Sequence, residues 1–179
     1  MQTCLMIITA IGSLGTLIGA LMIYNTLKAD HDWRRRKHAI DILGKWNDYT
    51  ADHAKAIEEI FPHIRDVDIR TGCRSELTRD QAKIIYTCNP DDKKNWGLRF
   101  HIVELLNHLE GITTAYNHKV ADCEIIHKAM KDAMTVWITI LKNFLDVVAE
   151  CEGFQPWQPL IDTIDKWKIQ INNGRKQTA

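Results

Sequence analysis

The sequence predicts an all-α protein, with one N-terminal transmembrane helix followed by an antiparallel bundle of about four to five helices. Three observations carry this expectation. An uncharged apolar run opens the chain, apolar residues then recur at three- and four-residue steps between turn signals, and no segment alternates with period two for long enough to make a strand. Residues 1–28 are expected as the anchor, 29–171 as a cytoplasmic bundle and 172–179 as a flexible tail.

Between Thr3 and Leu27 there is no Asp, Glu, Lys, Arg, His or Pro. About 20 apolar residues cross a bilayer core as a helix, and a buried helix of a soluble domain is rarely so long or so uncharged. A cleaved signal peptide fits poorly, because Met1 and Gln2 are neutral and Tyr24-Asn25-Thr26-Leu27 is no small-residue cleavage site. Lys28, Arg34, Arg35, Arg36 and Lys37 all follow the run. Positive charge beside a spanning helix is retained in the cytoplasm, so a single-pass inner-membrane protein is expected, with its N-terminus outside and residues 28–179 inside. Arg34, Arg35, Arg36 and Lys37 are expected to meet anionic lipid headgroups, at about 1 kcal/mol per charge; the plain alternative is a solvated first helical turn. Within the run, Gly12, Gly15 and Gly19 share one side of the helix, where small residues let a second helix approach closely. Self-association through that face is expected.

Composition narrows the partners. With 23 basic and 23 acidic residues the chain has no net charge, so it lacks the basic footprint of a nucleic-acid binder, and no nucleic-acid partner is expected. The five cysteines are odd in number and contain no Cys-x-x-Cys pair, which points to reduced thiols rather than zinc ligands or a redox centre. Cys73 and Cys88 flank one short segment, yet a cytosolic setting disfavours a lasting bridge.

Each helix of the bundle has its own signal. From about Trp33 to Phe61, Ile40, Leu43, Trp46, Ala54 and Ile57 mark one helical face, and Pro62 ends it. Few breakers separate Leu27 from Trp33, so this helix either continues the anchor or joins it through a brief kink near Asp30-His31-Asp32. Residues 62–78 are polar and read as a loop. Thr78-Arg79-Asp80-Gln81 has the form of a capping box, opening a short helix to about Cys88. Asn89-Pro90-Asp91-Asp92 is a turn and a fresh start for a long helix from Lys93 to Tyr116, with Trp96, Phe100, Val103, Leu106, Leu109 and Ile112 on one side. Asp122 caps a further helix expected to run through Glu150, which Gly153 and Pro156 terminate. The last helix is expected from Pro159 to Ile171.

Recognisable catalytic arrangements are absent, and no enzyme activity and no cofactor are expected. There is no Gly-x-Ser-x-Gly elbow and no Gly-rich phosphate loop. His101, Glu104 and His108 lie three and four apart on one helix and are weak metal candidates, with Asp122, Glu124 or His127 as facing ligands. Their spacing matches neither the His-Glu-x-x-His motif nor the Glu-x-x-His pairs of di-iron bundles, and solvated or hydrogen-bonded histidines are the simpler reading. Asn107, Glu110 and Asp122 are expected to form a structural polar network, since a carboxylate turned toward a core needs a partner. The six tryptophans read as core and interface anchors.

Three stretches carry a resemblance: Arg34-Arg35-Arg36 with the Trp46 helix, Leu105-Leu106-Asn107-His108-Leu109-Glu110-Gly111-Ile112 with Ala115-Tyr116, and Val120-Ala121-Asp122-Cys123-Glu124-Ile125-Ile126. Across about residues 30–150 the chain resembles a bacterial and phage family known only as a domain of unknown function. In that family a short membrane segment precedes a helical region with an Asn-x-x-Glu core and an Asp-Glu helix start. Asn107 and Glu110 fit the core; Asp122 and Glu124 fit the helix start with Cys123 between them. The resemblance implies a membrane-tethered helical domain, hints at phage–host conflict and supplies no catalytic residue. Three functions compete: a membrane-anchored interaction or regulatory module that binds lipid, a second copy and another protein; a membrane effector of phage defence or superinfection exclusion; and a metal-dependent enzyme built on His101, Glu104 and His108.

Overall fold

The computed structural model describes residues 2–60 and 77–176, with side-chain surroundings for 16–60 and 77–168. Among the described residues the chain is all-helical, with six helices and no strand: α1 Gln2–Ile60, α2 Arg79–Thr87, α3 Lys93–Asn117, α4 Cys123–Ile140, α5 Lys142–Glu152 and α6 Gln158–Lys176. The loop expected over 62–78 falls almost wholly outside them. α3 is the central element, touching α1, α2, α4 and α6. Its Leu98, Ile102, Leu105, Leu106, Leu109 and Ile112 are almost fully buried. That is an i, i+3/i+4 stripe, but rotated from the expected one: Trp96 and Phe100 face outward, and Trp96 lies under the Arg99 guanidinium.

The course of two expected helices is decided. The anchor segment and the first bundle helix are one continuous helix of 59 residues, one of the two courses expected at Asp30-His31-Asp32. At 1.5 Å per residue it is about 90 Å long. Ala39 is its first fully buried residue among those whose surroundings are described, and the helix packs on α3 and α4. Before that point Leu17, Ile18, Leu21, Met22, Ile23, Tyr24 and Leu27 are all more than half exposed. Among the described residues no helix is long and apolar enough to cross a membrane. The spanning role expected of residues 1–28 therefore finds no support in the fold; the side chains of Thr3 to Gly15 lie outside the description.

The other is settled at Leu141, where the single helix expected from Asp122 to Glu150 divides into α4 and α5. The Leu77 N–H donates to the Ile140 carbonyl at 3.3 Å, and the Asn143 amide donates back to the Leu77 carbonyl at 2.7 Å. The incoming chain thus competes for a carbonyl that would otherwise serve the helical ladder. Thr135 and Thr139 donate to the carbonyls four residues earlier, a pattern that bends helices. No local sequence signal marks this break, because its cause is a segment some sixty residues away. At the other end, α6 continues through Ile171 to Lys176, into the stretch expected as a tail.

The caps match their signals. Thr78 and Gln81 form the reciprocal capping box, the Gln81 N–H donating to Thr78 Oγ1 and the Thr78 N–H to Gln81 Oε1. Asp92 accepts from the Asn95 N–H, which holds its carboxyl below the ordinary carboxylate value through the Asn95 side-chain and backbone donors. Gly153 ends α5 at φ 77°, in the left-handed region. Thr78→Ala is expected to lower stability by about 1 kcal/mol through loss of the cap. Gly153→Ala should cost about 1–2 kcal/mol, because a Cβ is strained at that φ even with open space around it. Urea denaturation followed by circular dichroism reads both; a Gly153→Ala midpoint equal to wild type would show that the helix end readjusts.

Candidate functional site

Where α1 meets α3 the two helices run antiparallel, since Trp46 and Tyr49 lie against His108 while His53 lies against His101. Six rings form a ladder along this seam. His108 stacks on Trp46 at 5.7 Å and on Tyr49 at 5.3 Å, with interplanar angles of 13° and 19°. Tyr49 touches His53, and His53 and His101 both touch Phe100. His53 Nδ1 and His101 Nδ1 are 2.9 Å apart, so one imidazole donates and the other accepts, and the contact requires at least one neutral ring. Burial first, and the charge of His53 second, push both His101 and His108 below the ordinary histidine value. His108 Nε2 is buried and has no hydrogen-bond partner among the described residues.

This is not the metal constellation considered from sequence. His101 turns to α1 and His108 into the ring stack; Glu104 makes no hydrogen bond or ion pair among the described residues. His127 packs edge-on against Trp167 of α6 at 5.0 Å instead of facing them. Among the described residues no three His, Cys, Asp or Glu side chains converge as a metal site. Sequence reading missed the α1 side of the seam. The available signal was the spacing of Trp46, Tyr49 and His53, three and four apart, which puts three rings on one helical face.

Residues Asn107, Glu110 and Asp122 do not form a network, for no hydrogen bond joins them among the described residues. Asn107 Oδ1 accepts from Trp157 Nε1 at 3.1 Å, fastening α3 to the entrance of α6. The Glu110 carbonyl accepts from Thr113 within α3. Asp122 caps α4, accepting from the Glu124 and Ile125 N–H groups, and also meets Arg36 at 3.6 Å.

The basic run has partners inside the chain. Arg34 pairs with Asp30 at 2.8 Å, and Lys37 lies over the Trp33 ring at 5.5 Å. Arg35 reaches into the α3–α4 turn, donating to the Ala121 carbonyl at 3.3 Å, with Cys123 Sγ at 3.9 Å; its own carbonyl accepts from the Asp122 N–H at 3.1 Å. So Arg35 and Arg36 clamp α1 to the start of α4, while the exposed Arg34 and Lys37 side chains keep access to solvent. Of the proposed contact glycines, Gly12 and Gly15 lie outside the residues whose surroundings are described, and Gly19 has nothing within 4 Å of where a Cβ would stand. Cys88, Cys123 and Cys151 are free thiols. Between α1 and α4 runs an open cleft of about 370 Å³, walled by Trp46, Asn47, Thr50 and Ala51 on one side and Ala133, Val136 and Trp137 on the other.

Two outcomes follow from this geometry. Arg35→Ala should cost about 1–2 kcal/mol of stability, against less than about 0.5 kcal/mol for Arg34→Ala, whose pair is exposed. Equal thermal midpoints for the two variants would remove the clamp. Because His101 and His108 bind protons less readily folded than unfolded, stability is complete above about pH 6.5, the unfolded value, and falls as the pH drops below it. The thermal midpoint should therefore drop between pH 7 and pH 5. Combining His101→Gln with His108→Phe, which keeps a ring in the stack, should flatten that drop; an unchanged profile would place the acid sensitivity elsewhere.

Comparison with curated proteins and with solved structures found no match. A family match spans residues 7–157, wider than the stretch expected from the resemblance and covering α1 to α5 with the Arg35 clamp and the ring ladder. The chain belongs to the family described as Domain of unknown function (DUF4760).

Proposed function

We propose that the protein is a membrane-anchored, self-associating helical module that presents an interaction or regulatory surface on the cytoplasmic face. One observation carries this reading. From Leu17 to Leu27, α1 carries large exposed apolar side chains around its whole circumference, and no described residue covers them. A helix apolar on all sides belongs in a core or in lipid. The sequence extends the same uncharged character back to Thr3, which gives the run the length a bilayer asks for. Thr26 suits this setting, since its hydroxyl donates to the Met22 carbonyl within the helix at 2.9 Å.

The flanking charge supports the orientation. Arg34 and Lys37, exposed where the bundle begins, are placed for phosphate headgroups, whereas Arg35 is committed to the α3–α4 turn. Self-association through Gly12, Gly15 and Gly19 is part of the reading, as is a protein partner for the bundle. A metal-dependent activity draws no support from the ring seam.

The full chain should sediment with membranes, resist alkaline carbonate and be released by detergent. Replacing Ile18 and Leu21 by Arg, at about 3 kcal/mol each for a residue deep in a bilayer, should move it to the soluble fraction. A wild-type chain that is soluble without detergent would end the anchor. Gly15→Ile with Gly19→Ile should leave membrane insertion intact but weaken cross-linking between copies. Undiminished cross-linking would mean that the glycine face does not hold the protomers together.

A further inference from the structure

The cleft between α1 and α4 holds a hydroxyl that the fold does not use. Thr50, Thr113 and Thr163 are the buried polar residues among those described. Thr113 donates to the Glu110 carbonyl at 2.8 Å, and Thr163 donates to the Pro159 carbonyl at 2.8 Å while accepting from the Asn117 amide at 2.9 Å. Less buried helical threonines behave alike: Thr26, Thr87, Thr135 and Thr139 each donate to the carbonyl four residues earlier. Thr50 departs from this habit. It is 6% exposed, and its Oγ1 is buried with no hydrogen-bond partner among the described residues. A dry, unpaired hydroxyl is costly, and donation to the carbonyl one turn earlier, here that of Trp46, is the usual remedy within a helix.

Thr50 lines the cleft of about 370 Å³. The two helices around it run in the same direction, since Arg35 and Arg36 meet the start of α4 and the stretch of α1 from Trp46 to Ala54 meets Ala133 to Trp137 further along. That stretch of α1 spans two turns, about 12 Å. Trp46 and Trp137 are too large to let the walls close over Ala51, Ala54 and Ala133, so a gap stays between them. No Asp, Glu, Lys, Arg or His lines it.

We infer that this cleft binds a neutral, planar, two-ring heteroaromatic molecule, the chemistry of a free purine base, whose ring edge pairs with the Thr50 hydroxyl. Each part of that description answers a feature of the walls. A charged ligand would lose its water with no opposite charge to meet, so the ligand is neutral. Two indoles favour a flat aromatic occupant over a bulky aliphatic one. An apolar cavity of about 150 Å³ holds one benzene ring, so this cleft has room for two fused rings. The exposed Asn47 carboxamide at the same wall offers a donor and an acceptor side by side, the complement of a base edge. Trp46 also stacks on His108, so an occupant that fixes its ring fixes one rung of the ring ladder. The inference does not depend on the membrane anchor or on self-association.

The test titrates adenine into the purified full chain carrying 5-fluorotryptophan, held in lipid nanodiscs, with the six fluorine signals assigned by single Trp→Phe variants. Adenine should shift the Trp46 and Trp137 signals saturably and raise the thermal midpoint. AMP, which adds a charged phosphate to the same rings, should bind roughly tenfold more weakly. Thr50→Val should weaken adenine roughly tenfold yet raise the thermal midpoint of the unliganded chain, because an unpaired buried hydroxyl is removed. Ala133→Leu fills the cleft and should abolish binding; Ala51→Leu, at an exposed position of the opposite wall, does the same where the first variant folds poorly. Signals that adenine leaves unmoved, binding that survives both fillings, AMP binding as tight as that of adenine, or a Thr50→Val chain less stable than wild type would each overturn the inference.

Discussion

Everything outside α1 depends on the burial of α3, and everything about α1 depends on how its second half is held against α3 and α4. The side of α1 that carries Ala39, Thr50, Ala54 and Ile57 gives up its solvent to the bundle, and full burial of Ile57 alone contributes about 1.5–3 kcal/mol. This seam has no loop to steady it from the N-terminal side. The helix simply arrives, and what fixes its depth and rotation are the Arg35 contacts with the α3–α4 turn at one end and the ring ladder at the other. The first is directional and short-ranged. The second is a stack of flat faces that tolerates sliding but not separation.

The elements legible from sequence were those whose causes are local. The capping box at Thr78, the Asp92 and Asp122 starts and the Gly153 stop each depend on residues within four positions, so pattern and structure agree to within a residue or two. What escaped was set from a distance. The break at Leu141 comes from Leu77 competing for a carbonyl, and no periodicity in α4 announces it. The buried side of α3 came out rotated because Trp96 and Phe100, large enough to suggest a core, are instead partnered at the surface by Arg99 and by the histidines.

The polar residues show the same division. Sequence spacing correctly put His101 and His108 on one face of α3 but could not say what that face meets, and the answer is aromatic rings rather than carboxylates. Asn107 and Asp122 were legible as polar groups needing partners; the partners, Trp157 and Arg36, lie fifty and eighty-six positions away. Burial against those rings, ahead of the charge of His53, is what disfavours the histidines as cations. A seam of this kind is a low-dielectric contact built from groups able to carry charge, and its cohesion varies with their protonation.

The unbroken course of α1 has a mechanical meaning. A loop between the apolar end and the bundle would decouple their motions; a continuous helix of 59 residues has no such joint, so it behaves as a rod. A twist or tilt imposed on its N-terminal half is passed along the helix toward the Arg35 contacts and the stacked rings. The bundle cannot rotate independently of whatever surrounds that end, and a change in those surroundings is felt at once by α3 and α4.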